Sequence, residues 1–332
     1  MRFAVRLFLL ATVFALAALS VTQHRAEAQG SRNQQPRPTP TPQEQDDLGP
    51  VTVREVRLPI TVLDKKEQPV SGLTRTDFLV FEDKQQQRIE GFIDERTGVP
   101  VHVAVLMDIS ESTAGKLEFQ KTAAKDFIYT VVRARKDRAA FGVFDENLQL
   151  IQDFTERHDL LDRAVDSVKK PGTNTALWDA VWLMCDEKMR GVTGRRVIVI
   201  ITDGDDTASR ARLKDAIEIA QATETIVFAI STKAGLSGVV PGVEMGTPKD
   251  GGDRELERLC AETGGRAFFI GDRINLERAF TRVARELRSQ YIVTYKPTRE
   301  FDGSYRRIEV KLAGDRDGLK VRTRRGYTAS RQ

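Results

Sequence analysis

The spacing of apolar residues changes twice along this chain, and each change marks a change of architecture. Val56, Leu58, Ile60 and Val62 stand at every second position, the period of a strand with one buried face. A turn at 64–69 follows, then Val70, Leu73 and the run Phe78-Leu79-Val80-Phe81, and Ile89, Phe92 and Ile93 close this β segment. From residue 101 the pattern differs: 101–107 and 196–202 are almost unbroken apolar runs, as expected of strands buried on both faces. Leu117, Phe119, Ala123, Ala124, Phe127, Ile128 and Val131 recur at helical spacing and predict a helix over 117–132. Strands at 139–144 and 148–154 flank Asp145-Glu146-Asn147 as a hairpin. Further helices fall at 160–168, 176–189, 213–222, 256–261 and 276–287, and further strands at 226–231 and 267–270; Gly264-Gly265 is a helix C-cap signal. Strands alternating with helices predict an α/β domain over 99–290, a parallel sheet with helices on both faces.

After Ser289 the β pattern returns at 291–295, 305–312 and 319–323, with 315–318 reading as a hairpin turn. Neither end supplies enough strands for a core of its own. The expectation is therefore one small β unit in which 51–97 packs with 291–328. The first residues stand apart from both units. Arg2 and Arg6 precede an apolar stretch from Leu7 to Val21, and Ala26-Glu27-Ala28 offers small residues where a signal peptidase cuts. That stretch falls short of the ~20 residues of a membrane span, so 1–28 is expected to be a signal peptide and the protein exported, periplasmic or secreted, with no stable membrane span after cleavage. Residues 29–50, rich in Gln, Pro and Thr, are expected to be a disordered linker.

Composition narrows the function. Of the 332 residues 40% are hydrophobic and 30% charged, and the net charge is +4. Lys and Arg are scattered, without the patch that nucleic-acid binding requires. Cys185 and Cys260 fit either a disulfide, permitted outside the cytoplasm, or two buried thiols. Trp178 and Trp182 read as core or interdomain packing, and none of the three His has a partner suggesting catalysis.

Ligands of open α/β sheets bind beyond the carboxyl ends of the strands. Three loops qualify. Asp108-Ile109-Ser110-Glu111-Ser112 follows the first apolar run, Asp203-Gly204-Asp205-Asp206 the second, and Pro171-Gly172-Thr173-Asn174-Thr175 precedes the helix at 176. Oxygen ligands without His or Cys suit a hard cation, Mg²⁺, Mn²⁺ or Ca²⁺. In an extended turn Asp108, Ser110 and Ser112 point one way and Ile109 into the fold. Asp205 and Asp206 read as turn residues or N-caps of the following helix.

Asp108-x-Ser110-x-Ser112, then Thr175, then Asp203 resembles the metal-ion-dependent adhesion site of von Willebrand factor A domains. Thr173-Asn174-Thr175-Ala176-Leu177-Trp178-Asp179-Ala180 resembles the family's Gly-Thr-Ala-Leu-Tyr-Asp-Ala loop, with Asn174 where Gly is common. On that alignment Thr175 is the ligand and Thr173 the fallback. The resemblance implies a doubly wound, mostly parallel six-stranded sheet, a metal held by Asp108, Ser110, Ser112, Thr175 and Asp203, and a protein partner whose Asp or Glu completes the coordination. The flanks, with Pro69-Val70-Ser71-Gly72-Leu73, Arg288-Ser289-Gln290-Tyr291 and Arg325-Gly326-Tyr327, are similar to a VWA-related group from acidobacteria. Metal-dependent binding or adhesion is thus the expected function, and no enzyme activity is expected. A metal-independent envelope scaffold and a metal-assisted hydrolase remain as alternatives; the sequence has no nucleophile elbow or phosphate loop to support the latter.

Overall fold

A computed structural model describes residues 55–169, 171–232, 251–270, 273–314 and 316–330; the expected signal peptide and linker lie outside the described residues. Its centre is a six-stranded sheet built from β5 (Val101–Asp108), β6 (Arg138–Phe144), β7 (Leu148–Thr155), β8 (Arg195–Thr202), β9 (Thr225–Ser231) and β10 (Ala267–Phe269). The order is β10-β9-β8-β5-β6-β7, parallel throughout except that β6 and β7 form an antiparallel hairpin. The doubly wound, mostly parallel sheet expected from the sequence is present.

Successive residues of a strand face opposite sides, so the unbroken apolar runs feed two cores. Val103, Val105 and Met107 of β5 pack with Val197, Val199 and Ile201 of β8 on one face. The helices covering that face are α1 (Leu117–Val131), α2 (His158–Ser167) and α6 (Arg273–Arg288), through side chains such as Phe127, Leu161 and Phe280. Ala104, Leu106, Ile198 and Ile200 supply the other face, beneath α3 (Leu177–Leu183), α4 (Leu213–Ala222) and α5 (Gly251–Thr263). Cys185 and Cys260 belong to this second core as free, buried thiols; burial pushes Cys185 up to about 12 and Cys260 higher still. The helix expected over 176–189 is α only to Leu183 and continues as π-helix over Met184–Met189. Its Trp178 is buried, as expected of core packing, but Trp182 is 37% exposed, which corrects for that residue the expectation of core or interdomain packing. The apolar stripe here follows 177, 178, 181, 184 and 185, and Trp182 lies off it.

The two chain ends build the small β unit. One sheet has the order β13-β1-β11-β4, from Lys320–Arg322, Val56–Leu63, Tyr291–Tyr295 and Ile89–Ile93. The other has the order β14-β12-β2-β3, from Gly326–Thr328, Tyr305–Leu312, Phe78–Glu82 and Gln85–Gln87. Leu58, Ile60, Val80, Val293 and Ile308 share one core. The short strands β3 and β14 had no apolar alternation to announce them. The turn at 315–318 is not a hairpin between its flanking strands, because β12 pairs with β2 and β14 whereas β13 pairs with β1.

Buried polar groups hold this unit. Arg306, fully buried, donates to Glu82 Oε1 at 3.0 Å, and the hydroxyls of Tyr295 and Tyr327 donate to Glu82 Oε2 at 2.7 and 2.9 Å. The unit joins the α/β domain through further arginines. Arg324 donates to Gln221 O of α4 at 2.6 Å and to Arg57 O of β1 at 3.1 Å. Arg195 of β8 donates to Leu287 O of α6 and to Gln290 O just ahead of β11 at 2.6 and 2.8 Å, holding the point where the chain passes from the α/β domain into the β unit. Among the described residues no helix is long and apolar enough to cross a membrane.

Candidate metal centre

The chain runs from β5 to β6 on one side and later returns to β8 on the other, so the order of the sheet reverses between β5 and β8. A crevice opens beyond the carboxyl ends of strands at such a switch point. Asp108 ends β5 and Asp203 directly follows β8. Met107 pairs with Ile201, which sets Asp108 opposite Thr202 in the continuing register. Thr202 Oγ1 donates to Asp108 Oδ2 at 2.6 Å and accepts the Gly204 N–H at 3.0 Å.

Asp108 is 0% exposed and Asp203 5%. Burial pushes the Asp108 carboxyl up to about 6, against hydrogen bonds from Ser110 and Thr202 that lower it, and the Asp203 charge adds a smaller upward push. The chain then turns so that the Ser110 N–H donates to Asp108 Oδ1 at 2.9 Å, while the Ser110 and Ser112 hydroxyls lie 3.0 Å apart. Ile109 points into the first core, as expected. Ser110 is buried and Ser112 exposed, so the group is open on the Ser112 side. Thr113 Oγ1 donates to Asp108 O at 3.2 Å and Ser110 O at 2.8 Å, bracing the 3-10 turn Glu111–Lys116 that leads into α1.

Thr175, also buried, is tied to this group through its backbone. The Gly172 N–H donates to Ile109 O at 2.5 Å and the Glu111 N–H to Thr173 O at 2.9 Å, docking the loop at 171–175 on that at 109–111. Gly172 is required there: a Cβ would fall 2.3 Å from Asp145 Oδ2. From the other side the Thr175 N–H donates to Thr207 Oγ1 at 2.9 Å, and the Thr207 and Ala208 N–H groups donate to Thr175 O at 2.8 and 3.0 Å. Asp206 Oδ1 accepts the Leu177 N–H at 2.8 Å, so this carboxylate caps the preceding α3 and not α4, the reverse of the expected direction. Asp179 also reaches across, accepting the Arg210 and Ala211 N–H groups at 3.0 and 2.8 Å. Thr202 and Thr207 escape a sequence reading; the only trace is that both flank Asp203.

The donor set can be tested against a cation. Asp203 Oδ1 is buried without a hydrogen-bond partner, an arrangement that costs free energy unless something positive meets it. Asp108, Ser110, Ser112, Thr175 and Asp203 offer only oxygen, two carboxylates and three hydroxyls, so they fit a hard divalent ion. Among the described residues no group of three or more His, Cys, Asp or Glu is arranged to hold a metal. Any ion here would therefore rest on two carboxylates and neutral hydroxyls.

A family model for the von Willebrand factor type A domain matches residues 102–282, more than half of the chain. Among solved structures the chain is similar to an aerotolerance-related membrane protein of Bacteroides fragilis, with 17% identity and a TM-score of 0.45 over 56% of this chain and 98% of that one. It is also similar to BatB of Bacteroides thetaiotaomicron, with 16% identity and a TM-score of 0.43 over 57% of this chain and 100% of that one. A third is proximal thread matrix protein 1 of the mussel byssus, solved with zinc occupying its MIDAS motif, with 14% identity and a TM-score of 0.46 over 62% of this chain and 49% of that one. No curated protein matches the chain. The family match runs from β5 into α6 and so takes in the six-stranded sheet with its switch point, and the chain belongs to the von Willebrand factor type A domain family.

Proposed function

We propose that this protein is a metal-dependent interaction or adhesion module, exported from the cell, whose site at the β5–β8 switch point recognises a carboxylate on a partner protein. Asp108, Ser110, Ser112, Thr175 and Asp203 would hold one divalent cation, Mg²⁺ first and Mn²⁺ or Ca²⁺ as substitutes. The observation that carries this reading is the unpartnered, buried Asp203 Oδ1 beside a second buried carboxylate, Asp108. A cation bound mostly by neutral hydroxyls stays electrophilic and attracts an Asp or Glu from a partner. The protein's own share is positional. Thr202 fixes the Asp108 carboxylate, Thr113 and the Ser110 N–H fix the turn, and Thr207 with Asp206 fixes the α2–α3 loop bearing Thr175. The flanking β unit, and membership of the VWA-related group it resembles, belong to the same proposal.

Co-purification of the exported protein from culture, with Mg²⁺ or with EDTA, tests the reading. The expected result is a partner retained in Mg²⁺, released by EDTA and absent with Asp108→Ala. A partner held equally in EDTA and by Asp108→Ala would establish a metal-independent scaffold instead.

A further inference from the structure

A cleft of about 1170 Å³ opens between α4, α5 and the outer face of β12, and none of the five candidate metal ligands lines it. Its charges are unevenly committed. Each of its four carboxylates has a cation: Asp83 has Arg299 at 2.7 Å, Glu218 has Lys214 at 3.5 Å, Glu262 has Arg325 at 3.5 Å and Glu309 has Lys311 at 3.1 Å. Lys84, Arg258 and Arg307 also line it, are exposed, and have no carboxylate partner among the described residues. The uncommitted charge of the cleft is thus positive and comes from three different elements.

Two local features argue that this surface is built. The Tyr305 side chain is 49% exposed, and its ring lies on the Gly326 backbone so closely that a Cβ there would come within 2.4 Å of Tyr305 Cζ. A flat aromatic face is thereby offered between the cations. Lys84 sits at the tip of the β2–β3 hairpin, where Asp83 and Lys84 both take positive φ, 47° and 70°. Glycine or asparagine would occupy such a turn at less cost. The tip is held by the Asp83 N–H to Arg307 O and the Arg307 N–H to Asp83 Oδ1, each 2.9 Å, which fixes Lys84 and Arg307 at one rim.

We propose that this cleft is a second docking site, independent of the metal, for an acidic peptide segment of a partner protein, held by Lys84, Arg258 and Arg307 around Tyr305. Arg guanidinium groups match carboxylates in a planar, two-bonded geometry. Carboxylates spaced by apolar atoms suit cations that alternate with paired acids. Three uncommitted cations in one cleft are few for a nucleic-acid backbone, which carries a charge at every nucleotide.

Fluorescence anisotropy with the full exported chain tests this, using a fluorescein-labelled glutamate-rich peptide and, separately, a labelled oligothymidylate. Peptide binding should weaken about tenfold or more in Lys84→Glu/Arg307→Glu and in Arg258→Glu, and fall with added salt. It should be unchanged by EDTA, by Asp108→Ala, and by Lys169→Glu, an exposed charge beyond α2 on the opposite face of the sheet. Circular dichroism melting confirms that each variant is folded. Absence of peptide binding, equal binding by the cleft variants, or oligothymidylate binding as tightly as the peptide would overturn the proposal. Loss of peptide binding with EDTA would overturn it too, by assigning the carboxylates to the metal centre, and leaves the reading of that centre standing.

Discussion

Replacing Asp108 by Asn should make the metal-free protein more stable at neutral pH and at the same time abolish its response to divalent cations. The carboxyl is buried, and burial pushes it up to about 6, against about 3.9 in an unfolded chain. About two units at ~1.4 kcal/mol each give roughly 3 kcal/mol by which the ionised group disfavours the folded, metal-free state. The sign follows from the direction. The folded chain binds this proton more tightly than the unfolded one, so the full penalty stands above pH about 6 and disappears as pH falls towards about 4. An amide at this position carries no charge and can still accept the Ser110 N–H, while its NH₂ group meets Thr202 Oγ1. In urea denaturation with EDTA, Asp108→Asn should therefore gain up to about 3 kcal/mol at pH 7 and almost nothing near pH 4. Mg²⁺ at a hundred times its Kd should add about 2.7 kcal/mol to the wild type and nothing to the variant. A variant less stable than wild type in EDTA at pH 7, or one that still gains stability from Mg²⁺, would refute the reasoning.

Other consequences follow from particular contacts. Thr207→Ala removes the hydroxyl that accepts the Thr175 N–H and should weaken Mn²⁺ binding about fivefold for a stability loss near 1 kcal/mol, with Thr207→Ser restoring affinity in the same titration. Arg306→Met leaves the buried Glu82 carboxyl with only the two tyrosine hydroxyls, so chemical denaturation should show a loss of about 3–5 kcal/mol; a loss under 1 kcal/mol would show that the tyrosines suffice. Deleting residues 51–97 takes both neighbours of β11, namely β1 and β4, and limited proteolysis should then cut within 291–328. Cys185 and Cys260 are fully buried with thiols held well above their usual range, so a thiol reagent at pH 8 should label them only as fast as the protein unfolds.

Much of this was legible in the sequence because burial on two faces leaves a strong mark. The runs ending at Met107 and Thr202 had to lie between layers of helices, and in a doubly wound sheet that alone points Asp108 and Asp203 at one edge. The pairing of the two chain ends followed from core size, since neither end alone could bury Leu58, Ile60 and Val293. Other features escaped because they rest on contacts distant in sequence. The Gln85–Gln87 strand carries no apolar signal and exists only through its pairing with β2. Asp206 is a capping residue by type, yet which helix it caps depends on how two loops meet. Trp182 is apolar at a helical position, and only the facing elements decide that it stays outside.

The most direct measurement is calorimetric titration of Mn²⁺ into chelator-stripped protein, wild type beside Asp203→Asn and Ser112→Ala. The account predicts one ion per chain for the wild type, heat lost with Asp203→Asn, and affinity lowered about tenfold with Ser112→Ala. No binding by the wild type, or equal binding by all three proteins, would contradict it.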